Sequence, residues 1–226
     1  MDAMPQLPFE LDDLFLNPER RCPCLLLLDT SYSMSGSKID QLNAGIQMLR
    51  NDLLSDTVAA KRVELAMVTF GPVRTVQSFA TIDRCTMPRL DADNDTPMGE
   101  AITTGLTLLD DRKANYRASG VPYFRPWVFL ITDGAATDDL DAARKAIAAG
   151  EKADQFCFFA IGVDTADMNE LAGLSVRQPL MLKGLQFEKL FLWLSGSLRD
   201  GSRSTPKASF TPDNPLAADG WAELPR

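Results

Sequence analysis

The sequence predicts an α/β domain in which helices cover both faces of a mostly parallel sheet, with an antiparallel hairpin at one edge. Three observations predict it. The short apolar runs Cys24-Leu25-Leu26-Leu27-Leu28 and Trp127-Val128-Phe129-Leu130-Ile131 each lead into an acid, the pattern of central strands buried on both faces. Between and after them lie stretches with apolar residues at three- and four-residue spacing, the mark of amphipathic helices. Finally, Gly71-Pro72 alone joins the β-rich runs Val63 to Phe70 and Val73 to Phe79. That connection is too short for a parallel crossover, so these two strands pair antiparallel.

Each element follows in order. Residues 1–21 mix Pro, acids and scattered Leu and Phe without periodicity and read as an irregular N-terminal arm. The regular fold begins at Cys22, and the first strand places Asp29 at its C-terminal end. Ile39, Leu42, Ile46, Leu49 and Leu53 mark a helix, with Ser37-Lys38-Ile39-Asp40 in the form of a capping box. After the hairpin, Thr96-Pro97 reads as an N-cap followed by proline at the first helical position, and Met98, Ile102, Leu106 and Leu109 give the buried stripe. Asp110 to Arg125, charged and carrying Gly and Pro, reads as a long excursion. Thr132-Asp133-Gly134 closes the next strand. Leu140, Ala143 and Ile147 form a helix, and Phe156 to Ile161 a strand closing on Gly162-Val163-Asp164. Pro179 to Leu182 is a last short strand; Phe187, Leu190, Phe191, Leu194 and Leu198 are a last amphipathic helix. The Pro- and Ser-containing tail, 201–226, reads as either a disordered extension or, by preference, a strap that lays Trp221 on the domain.

Composition narrows the function. With 226 residues, 45% hydrophobic and 24% charged, the chain suits one large soluble domain. Lys and Arg number 23 against 31 Asp and Glu, a net charge of -8, so no broad positive field exists to hold nucleic acid or an anionic membrane. Of the four cysteines Cys22, Cys24, Cys85 and Cys157, three flank or sit in apolar runs, which fits reduced thiols and a cytoplasmic location. The chain has no histidine, so Cys22-Pro23-Cys24 lacks partners for a structural zinc. The N-terminus lacks the basic and apolar regions of a secretory signal, and no apolar run is long enough to span a bilayer.

In an open α/β sheet, ligands bind beyond the carboxyl ends of the strands, where Asp29, Asp133 and Asp164 are placed. Asp164 by itself reads as a turn former. Asp29-Thr30-Ser31-Tyr32-Ser33, by contrast, sets one acid and two hydroxyls at alternate positions, so that in an extended loop all three side chains point one way. Thr96 and Asp133 add a further hydroxyl and carboxylate. Hydroxyls with one or two carboxylates are suitable ligands for a hard cation such as Mg²⁺.

Asp29-Thr-Ser31-Tyr-Ser33, Asp95-Thr96-Pro97-Met98-Gly99-Glu100 and Ile131-Thr132-Asp133-Gly134 together resemble the metal-ion-dependent adhesion site of von Willebrand factor A-type (VWA) domains. The resemblance covers residues 22–200. It implies a three-layer, Rossmann-like fold whose six-stranded, mostly parallel sheet has one antiparallel edge strand. It implies Ser31, Ser33 and Thr96 as direct ligands of Mg²⁺, Mn²⁺ or Ca²⁺, with Asp29 and Asp133 acting through water, and one position left for a carboxylate of a protein partner. The usual Gly before the second Ser is replaced by Tyr32, which alternation turns away from the metal. Within the family, the cysteines before the first strand and Gly220-Trp221 look most like bacterial TerY-like proteins of tellurite resistance and stress. That likeness implies a serine/threonine kinase or a PP2C-type phosphatase as partner.

Catalysis is disfavoured. Phosphotransferases of the haloacid dehalogenase type resemble Asp-x-Asp at this position, and Ser31 replaces the second acid, which would do the proton transfer. Serines without histidine lack an activating base, and no phosphate-binding glycine loop follows a strand. The remaining alternative to metal-dependent binding is a scaffold of the same fold with a vestigial metal site.

Overall fold

The computed structural model describes residues 14, 16–204, 214–216 and 220–224. It shows a seven-stranded sheet, ordered β3-β2-β1-β4-β5-β6-β7, with helices on both faces. The strands are β1 (Cys22–Asp29), β2 (Val63–Phe70), β3 (Arg74–Thr81), β4 (Trp127–Thr132), β5 (Cys157–Val163), β6 (Leu180–Leu182) and β7 (Ala222–Glu223). The helices are α1 (Ser37–Leu54), α2 (Ala59–Arg62), α3 (Met98–Ala118), α4 (Asp141–Lys152), α5 (Met168–Leu174) and α6 (Phe187–Arg203). From β2 through β6 every neighbouring pair is parallel, and β3 and β7 close the two edges antiparallel.

Every residue of β1, β2 and β4 is buried, as their apolar runs require. Alternation splits them between two cores. Leu26, Leu28, Leu65 and Met67 pack with α1 and α6, while Leu25, Leu27, Ala66 and Val68 pack with α3, α4 and α5. The chain builds β1, β2 and β3 outward in one direction and then returns to place β4 on the other side of β1. The crevice at that reversal, beyond Asp29 and Thr132, is where an open sheet offers a site.

Four expectations need correction. The sheet has seven strands and two antiparallel edges, because residues beyond α6 return to pair Ala222 with Leu182 and Glu223 with Met181. Trp221, beside them, is buried 5.4 Å from the ring of Trp193. The arm at 1–21 and the tail at 201–226 otherwise lie largely outside the described residues.

The excursion expected from Asp110 is instead the second half of α3. Its buried stripe continues through Arg112, Lys113 and Tyr116, whose polar character hides the periodicity. Lys113 pairs with Asp110 at 2.7 Å, and Arg112 and Tyr116 meet Glu64 at the start of β2, which accepts from Arg112 Nε at 2.7 Å, Arg112 Nη2 at 2.8 Å, Tyr116 Oη at 2.6 Å and Arg21 Nε at 2.7 Å. Two guanidiniums and a phenol thus compensate one carboxylate that has no exposed surface. Burial pushes the Tyr116 hydroxyl well above its usual pKa, and the charge of Glu64 adds to the rise.

The two predicted caps also differ. Ser37 is the first residue of α1 and no side chain caps it; Gly36, at φ +78°, turns the chain in. Nor does Thr96 cap α3. Asp138 does so from the neighbouring loop, accepting from Gly99 N at 3.0 Å and Glu100 N at 2.8 Å, which leaves the Thr96 hydroxyl to other work.

Candidate metal centre

The loop after β1 is set by its backbone. Thr30 N donates to Phe70 O at 2.8 Å, Asp93 N to Thr30 O at 2.8 Å and Tyr32 N to Asn94 O at 3.0 Å. Gly71, at φ +101°, lets β2 turn against this loop; a Cβ there would lie 2.6 Å from Ser31 N and 2.7 Å from Asp93 O. The chain is extended at Ser31 and then closes into a 3-10 turn at Tyr32–Met34. Convergence of the two serines therefore comes from the turn, not from the extended loop that alternation suggested. Tyr32 is 75% exposed.

Asp29 has no exposed surface. One of its oxygens accepts from Ser31 N at 2.8 Å, and the other from the Thr132 hydroxyl. Burial pushes its carboxyl above the usual range; the hydrogen bonds from Ser31 and Thr132 oppose that, and the charge of Asp133 adds to it. Ser31 Oγ and Ser33 Oγ stand 2.9 Å apart, and Ser33 Oγ donates to Asp133 Oδ1 at 2.6 Å. A Cβ on Gly134 would be 3.7 Å from Thr96 Oγ1 and 3.8 Å from Ser33 Oγ, so both hydroxyls border one spot that the glycine leaves unfilled. The structure thus brings Ser31, Ser33, Thr96 and Asp133 to a common place and sets Asp29 behind Ser31.

Three neighbours were not assigned to the site from sequence. Thr132 orients Asp29 and was legible only as part of its strand-end motif. Lys38, on the first turn of α1, donates from Nζ to Asp133 Oδ2 at 2.6 Å and lies 2.9 Å from Asp164 Oδ2. Asp164, read as a turn former, is at φ 51° and so fills that role, but its carboxylate also faces the site. Burial works to lower the Lys38 pKa, yet its bonds to Asp133 and Asp164 and their charges outweigh it and hold the pKa above its usual value.

These oxygens fit a small hard cation. Adjacent ligands of an octahedral ion with bonds of ~2.1 Å stand about 3 Å apart, close to the spacings of Ser31, Ser33 and Asp133. The charges fit as well: Asp133 and Asp164 share the single ammonium of Lys38, and Asp29 behind them has a backbone amide and a hydroxyl for partners, so three carboxylates stand against one cation, a surplus of two negative charges. A depression of about 650 Å³ lies at the opposite end of the sheet, around Lys113, Arg125 and Gln155. Lys113 is paired with Asp110 at 2.7 Å and Arg125 with Asp154 at 2.8 Å, while Arg117 Nη1 donates to Tyr123 Oη at 3.5 Å, so this depression carries no surplus of acids to attract a cation.

Residues 25–180 match the family model described as the von Willebrand factor type A domain. Among curated proteins, none matches this sequence. Solved structures with the same fold include proximal thread matrix protein 1 of the mussel byssus, at TM-score 0.55 and 16% identity over 80% of this chain and 48% of that one. The same protein has been solved "with zinc occupied MIDAS motif". The vWF domain of the type V pili tip protein Mfa5 from Porphyromonas gingivalis aligns at TM-score 0.58 and 12% identity, over 85% of this chain and 99% of that domain. The pilus adhesin SpaC from Lactobacillus rhamnosus GG aligns at TM-score 0.61 and 10% identity, over 81% of this chain and 30% of the adhesin. This chain therefore spans less than half of the byssus protein and under a third of the adhesin.

Proposed function

This chain belongs to the von Willebrand factor type A domain family, and we propose that it is a metal-dependent protein-interaction module rather than an enzyme. The observation that carries the reading is the surplus of two negative charges beside converging hydroxyls at the carboxyl ends of β1 and β4. Ser31, Ser33 and Thr96 would hold Mg²⁺, Mn²⁺ or Ca²⁺ directly, with Asp29 and Asp133 placed to act through water or from behind the hydroxyls. A cation held mainly by neutral hydroxyls keeps much of its charge and supplies an attractive seat for a partner's carboxylate. The chain's own residues do the rest. Asp29 and Thr132 lock the loop, Gly134 leaves free space beside Thr96 and Ser33, and Tyr32, between the two serines in sequence, exposes its ring for contact with a partner.

The zinc-bearing motif of the mussel byssus protein, a chain of the same fold, supports a divalent ion at this place. The absence of a second acid at Ser31 supports a binding role over phosphoryl transfer. The narrower assignment is to TerY-like proteins of bacterial tellurite resistance and stress, working in the cytoplasm with a serine/threonine kinase or PP2C-type phosphatase. It rests on Cys22-Pro23-Cys24 and Gly220-Trp221 in the sequence. No helix among the described residues is long and apolar enough to cross a membrane.

Calorimetric titration of the chelator-treated chain with Mg²⁺ and Mn²⁺ tests the reading, with Asp29→Ala and Thr96→Ala alongside and circular dichroism to check folding. One saturable site, lost in both variants, is expected. A glutamate peptide should then bind in Mg²⁺ and its glutamine counterpart should not. Absence of metal binding by the folded chain would leave the scaffold with a vestigial site as the better reading.

A further inference from the structure

Lys38 stands where helix physics would not put it. It is the second residue of α1, at the end where the helix dipole favours acids and disfavours cations. The residues three and four positions on, Gln41 and Leu42, offer it no counter-charge along the helix. Its side chain is only 18% exposed, and its ammonium reaches away from α1 to Asp133 Oδ2 at 2.6 Å and Asp164 Oδ2 at 2.9 Å. Asp133 Oδ1 is taken by Ser33 Oγ. Both oxygens of Asp133 are thus engaged, one by a hydroxyl that can turn its lone pair to a metal and one by a fixed positive charge.

We propose that Lys38 is a tethered cation that competes with the divalent metal for Asp133 and sets the strength of metal binding. The proposal rests on the reading of this site as a metal centre. Two cations on one carboxylate repel, and the ammonium also cancels part of the negative charge that attracts the metal. Asp164 supplies a second seat. Its carboxylate is 52% exposed, it approaches the same nitrogen, and it stands on a left-handed residue that fixes the strand end. Lys38 stays with Asp164 while Asp133 serves the metal, so the ammonium retunes the site without leaving it. The arrangement weakens metal binding and makes the domain respond to metal in a higher concentration range than its ligand set alone would give.

The test is calorimetric titration with Mg²⁺ and Mn²⁺ of wild type, Lys38→Met and Lys38→Arg at one pH and salt, with thermal melts in chelator and in metal. Lys38→Met should bind metal with a Kd at least about tenfold lower, and Lys38→Arg, which keeps the charge, should stay within about threefold of wild type. Lys38→Met should also melt lower in chelator and gain more on adding metal. A Lys38→Met protein with the wild-type Kd, moved only in its chelator melt, has lost structural support alone and overturns the proposal; so does weaker metal binding. Binding by Lys38→Met but not by wild type supports the proposal in its strongest form. If wild type and every variant fold and none binds metal, the metal reading itself has failed and the proposal falls with it. Lys38→Gln, which can still donate to Asp133, serves in place of an unstable Lys38→Met and carries the same expectation.

Discussion

Two ends of one sheet bury carboxylates, and they treat them differently. At the base of β2, Glu64 is surrounded by Arg21, Arg112 and Tyr116, so its negative charge is more than matched and the cluster is shut from solvent. At the carboxyl ends of β1 and β4, Asp29 has a backbone amide and a hydroxyl, and Asp133 and Asp164 share one ammonium. The first arrangement needs nothing further; the second is short of positive charge and borders the surface. A buried acid with a full set of partners reports structure, and acids left under-compensated around hydroxyls report a ligand.

The largest expected effect lies at the base. Glu64→Gln leaves Arg21 and Arg112 buried without the charge that compensates them and should cost about 3–5 kcal/mol of stability. Urea unfolding measures it, and a loss well under 1 kcal/mol would mean that the cluster is not closed to solvent. A smaller change divides the two ends at α3. Asp138→Ala removes both acceptors of Gly99 and Glu100 and should cost about 1 kcal/mol, read in the same way. Equal stability would return the capping role to Thr96.

The mildest probe is thiol alkylation. Burial pushes the Cys22 and Cys85 thiols up to about 12 and Cys24 well above the usual value, with Cys22 adding to the last. A raised thiol pKa means that the reactive thiolate is scarce at every pH below it. Burial raises the Cys157 thiol as well, so access separates the four: alkylation of the native chain at pH 8, mapped by mass spectrometry, should reach half-buried Cys157 first and the other three only on unfolding. Rapid labelling of Cys22 or Cys85 would place solvent inside the sheet's base.

Much of this contrast was readable in the sequence at one end only. The apolar runs of β1 and β4 fix the central strands, and the short motifs that hold their terminal acids, Ser31, Ser33 and Thr96 mark the candidate site, because each motif sits where a strand ends or a helix begins. Lys38 could not be assigned, since its role depends on a crossing from α1 to β4 and β5 that no local pattern reveals. The base cluster was hidden for the opposite reason: Arg112 and Tyr116 look like part of a solvated stretch until Glu64 is known to face them. β7 is two residues long and owes its place to packing of Trp221 rather than to any strand signal.

The most direct test counts Mn²⁺ bound per folded chain, by the paramagnetic signal of the free ion, in variants of the two ends. Asp133→Asn alters the open end, and Asp110→Asn with Asp154→Asn alters exposed acids at the base. One bound Mn²⁺ should persist in the base variant and be lost or greatly weakened in Asp133→Asn. Unchanged binding in Asp133→Asn, or loss in the base variant, would contradict the assignment of the metal to the carboxyl ends of β1 and β4.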